Sequence, residues 1–99
     1  MEKNKKTEEK KQFELDGSKM KNLDQFYDEV EKTLTKSFKM GRNLDALNDV
    51  LRGGFGVFDS GESIVLTWKH SKKSKAELPR FDKIIDIIRD HSHIELVLS

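Results

Sequence analysis

The chain has no cysteine, which excludes disulfide bonds and every zinc site built on thiolates. Long apolar runs are also missing, and none of those present approaches the roughly 20 residues that a membrane-spanning helix needs. The first residues lack the apolar stretch of a secretory signal. We therefore expect a soluble protein that remains in the cytoplasm.

A strong net charge is absent as well. The 99 residues include 19 lysines and arginines and 18 aspartates and glutamates, for a formal net charge of +1. Such a balance does not produce the positive field that is typical of proteins that bind nucleic acids or anionic membranes. With 34% hydrophobic and 37% charged residues, the chain has apolar material for one domain with a modest core.

The beginning of the chain is its most polar part. The stretch MEKNKKTEEKKQ contains no large apolar residue after Met1, and its lysines outnumber its glutamates. A segment of this composition cannot bury enough apolar surface to offset the conformational entropy that it would lose on ordering. We expect residues 1–11 to form a disordered charged tail and residues 12–99 to form a single domain.

Apolar spacing in the remaining chain predicts strands and helices. Phe13 and Leu15 alternate with polar residues, which is typical of a short strand. Helical spacing begins at Leu23 and again at Phe81, and Pro79 stands where we expect the first position of the second of these helices.

The order of these elements predicts the fold class. The segment IVLTW shows little alternation, which predicts a central parallel strand covered on both faces. The segment KHSKKSK is typical of a polar connecting loop, and HIELVLS predicts a final strand. Together they predict an α/β fold in which a small, mostly parallel three-stranded sheet is packed with three to four helices.

The segment GRNLDALNDVLRGGFG predicts a short helix that ends at glycines. Asn43 can cap its N-terminus, and the glycines that follow it suit a C-terminus, where a left-handed residue is favoured. Opposite its leucines, the predicted helix has a polar face made of Asp45, Asn48, Asp49 and Arg52. Two like charges therefore lie four residues apart on one exposed face, where they repel each other.

Two explanations of this polar face remain open. In the first, Asp45 interacts favourably with the helix macrodipole, by about 0.3–1 kcal/mol, and Arg52 neutralises Asp49. In the second, the acidic face serves a cationic partner, such as the phosphate-binding active site of a ribonuclease. Catalysis by the two aspartates is not expected, because one exposed helical face encloses no cleft between them.

Other candidate chemical groups have simpler explanations. His91 and His93 could bind a metal only if His70 or carboxylates converged on them, so a polar connection between helix and strand is favoured. The glycines of RGGFG match no phosphate-binding loop, and KHSKKSK lacks interleaved aromatic residues. We therefore expect no enzymatic activity, no cofactor and no metal.

The segment GRNLDALNDVLRGG resembles the central motif of the barstar family, the intracellular inhibitors of barnase-type bacterial ribonucleases. The family motif, G-x-N-L-D-A-L-x-D-x-L-x-G, is matched at Gly41, residues 43–47, Asp49, Leu51 and Gly53. The resemblance extends to the early strand and helix, to IVLTW and to the final IELVLS, and so covers residues 12–99. It implies the barstar fold and an inhibitor without catalytic activity.

The resemblance also implies roles for single residues. Asp49 matches the central anion that occupies a phosphate site of the nuclease, and Asp45 matches a second anion. Gly53 matches the point where the helix end meets the enzyme, and Asp90, which follows Arg89, matches a peripheral acidic contact. The implied partnership is a 1:1 complex between a monomeric inhibitor and a bacterial ribonuclease, without direct contact to nucleic acid or membrane.

Four positions depart from the family pattern. The family has aromatic residues where this chain has Lys39, Asn48 and Gly54, and an acidic residue where it has Arg42. Because aromatic residues often dominate binding energy, these departures imply a different target or weaker binding. The candidate nuclease-binding residues are Lys39, Asp45, Asn48, Asp49, Arg52, Gly53, Gly54 and Asp90.

Inhibition of a bacterial ribonuclease, with the acidic helix and the adjoining loop blocking the cationic active site, is the leading hypothesis. One alternative is an immunity protein for a different nuclease toxin. Another is a nucleic-acid-associated module that uses the lysine-rich tail and KHSKKSK, and such a module would bind with a steep dependence on salt.

Overall fold

A computed structural model of the chain describes residues 10–99. Within this part there are three strands and four helices, and the short 3-10 turn Gly17–Lys19 follows the first strand. In chain order they are β1 (Lys11–Asp16), α1 (Leu23–Leu34), α2 (Leu44–Arg52), β2 (Ile64–Lys69), α3 (Ser71–Glu77), α4 (Phe81–Arg89) and β3 (Ile94–Leu98). No helix in this range is long and apolar enough to cross a membrane. Residues 1–9 of the expected tail lie outside the described part, and Lys11 is the first residue of β1.

The three strands form one parallel sheet with β2 in the centre. Phe13 of β1 pairs with Leu66 of β2, which in turn pairs with Leu96 of β3. Because parallel neighbours require crossover connections, α1 and α2 lie between β1 and β2 in the chain, and α3 and α4 lie between β2 and β3. The predicted α/β fold class and the central parallel strand are confirmed.

The sheet is covered by helices on one face only. Ile64, Leu66 and Trp68 of β2 are fully buried, whereas Val65 and Thr67 between them are only partly buried. The expectation that both faces of β2 would be covered is wrong. A short apolar run does not reveal whether one face or both faces of a strand are covered. Here the second face of the sheet is formed largely by exposed side chains of the two edge strands.

Asparagine side chains fix the starts of α1 and α2. Asn22 Oδ1 accepts a hydrogen bond from the backbone N–H of Gln25 (2.8 Å), and Asn43 Oδ1 accepts one from the N–H of Ala46 (2.8 Å). Each bond satisfies a donor that has no partner within the first helical turn. The predicted cap of the helix that carries the polar face is therefore confirmed.

The segment KHSKKSK, predicted to be a polar loop, contains most of α3. The loop prediction is wrong because the residues that α3 buries are serines, Ser71 and Ser74, followed by Leu78. Ser71 Oγ donates to the carbonyl of Ser99 (3.0 Å), and the indole N–H of Trp68 donates to Ser74 Oγ (2.9 Å). A helix can bury serines that have such partners, and apolar spacing alone does not reveal it.

Helix α4 begins two residues later than predicted. Pro79 lies in the turn between α3 and α4 instead of at the first helical position, and Arg80, with a φ of 63°, is the residue before the helix. This left-handed residue separates the two helices. Phe81 then starts α4 with its ring edge-on to Trp68, at a centroid distance of 5.3 Å.

Replacing Ser74 with alanine tests how α3 is held. The substitution leaves the buried indole N–H of Trp68 without a partner, so we expect the free energy of unfolding to fall by about 1–3 kcal/mol. Ser71→Ala is the matched control, because the carbonyl of Ser99 keeps its bond from the backbone N–H of Ser71 (2.9 Å) and the loss should be smaller. Urea denaturation measures both variants, and equal losses would contradict the role of Ser74.

Candidate functional site

Helix α2 packs its apolar face into the core and exposes its polar face. Leu47, Val50 and Leu51 are buried, whereas Asp45 and Asp49 are exposed. The helix contacts both α1 and α4. The positions of the two carboxylates are therefore set by packing of the core.

The C-terminus of α2 requires glycine. Gly53 has a φ of 92°, and a Cβ there would lie 2.6 Å from the carbonyl O of Asp59 and 2.7 Å from the ring of Phe58. Gly54 follows in an exposed position, and its N–H donates to the carbonyl of Phe58 (2.8 Å). The loop after α2 therefore presents backbone without a side chain at Gly54, which another molecule can approach closely.

The two aspartates of α2 have different surroundings. Asp49 Oδ1 pairs with Arg52 Nη1 at 3.1 Å, and both side chains are more than half exposed. Asp45 lies in the first helical turn, where the macrodipole favours a carboxylate, and forms no ion pair with any described residue. Because exposed pairs contribute only about 0–1 kcal/mol, Asp49 can exchange Arg52 for another cation with little loss.

A hollow of about 380 Å³ lies between α2 and the end of α4. Asp45 and Asn48 line it from α2, and Lys83, Ile87 and Asp90 line it from the other side. The structure thus places Asp90 and Asp45 on the lining of one hollow, although they are far apart in sequence. The sequence analysis did not predict that Lys83 lines this hollow. Its helical spacing to Ile87 and Asp90 was the signal that could have placed the three residues on one face.

Two histidines fasten α2 to the connection between α4 and β3. His91 Nε2 lies 2.7 Å from Asn48 Oδ1, and His93 Nε2 donates to the carbonyl O of Leu51 (2.8 Å). The predicted helix-to-strand connection is confirmed, but its bonds to α2 have no local sequence signal. Among residues 10–99, no group of three histidines or carboxylates is arranged to hold a metal ion. Asn48 is half-buried and already has a partner.

The loop before α2 carries Lys39 and Arg42. Arg42 forms ion pairs with three carboxylates of α1, namely Asp24 (3.6 Å), Asp28 (2.8 Å) and Glu31 (3.6 Å). Arg42 therefore holds the loop against α1. This contact gives a structural reason for a cation at a position where the resemblance implies an acidic residue. Lys39 is exposed and lines a second hollow, beside α1, instead of the hollow between α2 and α4.

The surroundings of His91 disfavour its protonation. Partial burial lowers the pKa of His91 below its ordinary value of 6.5, and the charges of His93 and Arg52 lower this pKa further. The carboxylate of Asp90 acts in the opposite direction with a smaller effect. The two histidine rings meet edge to face, with centroids 5.5 Å apart.

We expect the chain to lose stability as the pH falls below about 6.5, because the unfolded state then takes up a proton on His91 more readily than the folded state. The loss should continue down to the lowered pKa and then level off. His91→Gln keeps a polar group near Asn48 without titrating, so its stability should depend less on pH between about 7 and about 5. Urea denaturation across this range measures the difference, with His70→Gln as the control. Identical profiles for the intact chain and His91→Gln would refute this assignment.

Comparison with known protein families agrees with the fold. A family model described as Barstar (barnase inhibitor) matches residues 10–95, a range that includes the whole of α2 and Asp90. A search of curated proteins gives no match. Because the family match spans most of the 99 residues, the chain belongs to the barstar family of barnase inhibitors, whose domains are inhibitors and not enzymes.

Proposed function

We propose that this chain inhibits a bacterial ribonuclease of the barnase type by covering its cationic active site with α2 and the adjoining loops. The observation that carries the proposal is the exposure of Asp45 and Asp49 on one face of α2, with Asp90 lining the same hollow as Asp45. Three carboxylates from two parts of the chain offer oxygen acceptors to arginine and lysine groups that otherwise bind RNA phosphates.

Binding of a cation would relieve an unfavourable feature of the free chain. Asp45 and Asp49 repel each other across one turn of α2, which costs about 0.2–0.5 kcal/mol. A nuclease cation placed between the two carboxylates would replace this repulsion with attraction. The inhibitor function thus explains why both aspartates lie on one face.

Two cations on the inhibitor limit the electric field of this surface. Arg52 pairs with Asp49, and Lys83 lies in the hollow with Asp45 and Asp90. A nuclease cation would displace Arg52 and pair with Asp49 where water is excluded and charge pairs are stronger. We therefore expect short-range pairing at Asp49 to contribute more to affinity than long-range steering.

Immunity against a different nuclease toxin is the second candidate function. Lys39, Asn48 and Gly54 occupy positions that are aromatic in the family, and Asn48 is engaged with His91. A nuclease complementary to these residues would differ from barnase at the matching positions. In both cases we propose that a monomer forms a 1:1 complex in the cytoplasm of the bacterial cell that makes the nuclease.

Asp49→Ala tests the anchoring carboxylate. We expect the variant to lose about 2–5 kcal/mol of binding free energy, a range to which the barnase–barstar complex itself contributes, because a nuclease cation is left buried without its partner. Isothermal titration calorimetry against a panel of barnase-type ribonucleases measures the loss. Asp82→Ala, at an exposed position of α4 that does not line the hollow, is the control and should bind normally. Unchanged affinity of Asp49→Ala for every nuclease that binds the intact chain would refute the anchor.

The nucleic-acid alternative depends on the charged tail and on the lysines of KHSKKSK. We expect deletion of residues 1–9 to leave nuclease binding unchanged, and we expect neither form to bind single-stranded RNA at an ionic strength of about 0.15 M. Fluorescence anisotropy with labelled RNA, using a catalytically inactive nuclease as the positive control, tests this expectation. RNA binding that weakens steeply with salt and disappears with the deletion would favour the alternative.

A further inference from the structure

Phe38 and Phe55 form an aromatic pair on the two loops that adjoin α2. Their ring centroids are 4.6 Å apart, and the ring planes are inclined by 47°. Phe38 precedes α2 and is 41% exposed, whereas Phe55 follows α2 and is half-buried against the core. The pair therefore connects the loop before the helix with the loop after it.

A backbone hydrogen bond holds these two loops together, because the N–H of Lys36 donates to the carbonyl O of Phe55 (2.9 Å). Within the loop before α2, Thr35 Oγ1 lies 3.4 Å from the carbonyl O of Phe38. Between them, Ser37 has a φ of 55°, a left-handed conformation that is uncommon for a residue other than glycine. The conformation that exposes Phe38 is thus specified by several contacts.

Packing within the chain does not explain the exposed ring. Among the described residues, three large hydrophobic side chains are exposed, and the other two, Val97 and Leu98, belong to the edge strand β3. A ring in water forgoes the stabilisation that burial would give it. When an exposed aromatic side chain becomes buried in a complex, this burial commonly contributes to the binding free energy.

The charges around Phe38 are balanced. The ring borders a hollow of about 470 Å³ beside α1, which is lined by Asp28, Glu31, Lys32 and Lys39. Both carboxylates are already paired with Arg42, and Lys32 is paired with Glu29. Because the two signs oppose each other, an ionic group of a partner gains little here. An apolar group gains by burying the ring.

We propose that the Phe38–Phe55 pair is the apolar anchor of the nuclease-binding surface and contacts an aromatic or aliphatic side chain at the rim of the nuclease active site. The inference rests on the proposed function. It is supported by continuity, because Phe38 precedes Lys39 and Phe55 follows Gly54, and both neighbours are candidate nuclease-binding residues. The chain thus carries aromatic rings one residue away from positions where the family has them.

Phe38→Ala tests the apolar anchor. We expect affinity for a barnase-type ribonuclease to fall about tenfold or more through faster dissociation. The loss should be similar at low and high salt, since apolar burial is not screened by ions. Phe38→Leu retains most of the apolar volume and should recover most of the affinity. Val97→Ala, which shortens a similarly exposed side chain on the open face of the sheet, should bind normally. Surface plasmon resonance measures the rates, and thermal unfolding verifies that each variant folds.

The outcomes separate the anchor from the proposed function. If Asp49→Ala loses binding while Phe38→Ala binds normally, the anchor is refuted and the inhibitor function stands. A loss at Phe38→Ala that disappears at high salt would also refute an apolar contact. If no ribonuclease of the panel binds the intact chain, both proposals are refuted.

Discussion

The contacts of Trp68 are the interaction on which the arrangement of the helices depends. From the central strand, its indole stacks on Phe26 of α1 with ring centroids 5.6 Å apart, meets Phe81 of α4 edge-on, and donates its N–H to Ser74 of α3. The nearby Gly17 has no room for a Cβ, which would collide with Ser74 Oγ. Because α2 packs on α1 and α4, the position of its polar face also follows from this side chain.

Several groups around α2 are unfavourable for the free protein, and each is opposed by a weak contact. Asp49 is repelled by Asp45 but paired with Arg52, and the exposed ring of Phe38 is partly covered by Phe55. The Asp49–Arg52 pair is exposed, so a cation of a partner can replace Arg52 with little loss of free energy. The repulsion between the aspartates and the exposed aromatic ring both lower the stability of the free chain. Such unfavourable groups are expected where a protein binds another molecule.

Local patterns were sufficient to predict α1, α2, the three strands in their order along the chain and the exposure of Asp45 and Asp49, because each depends on residues that are near in sequence. Helix α3 was missed because the buried Ser74 has its partners, Trp68 and the carbonyl O of Gly17, in distant parts of the chain that tertiary packing brings together. The bond between His91 and Asn48 was missed for the same reason, since no local spacing relates the two residues. The packing of α2 against α4 determines which of their side chains line the hollow between them, and local sequence patterns do not specify this packing.

Helix α2 has nine residues, and an isolated helix of that length is not stable in water. Asn43 and Gly53 fix its ends, and the bonds from His91 and His93 hold it against the rest of the domain. The conformational entropy of ordering this segment is therefore lost when the chain folds and is not lost again on association. In the proposed complex the nuclease would meet a preformed helix, so we expect association to be limited by encounter and orientation instead of by a folding step. A preformed helix would thus suit the proposed inhibition, in which the nuclease is captured before it reaches RNA.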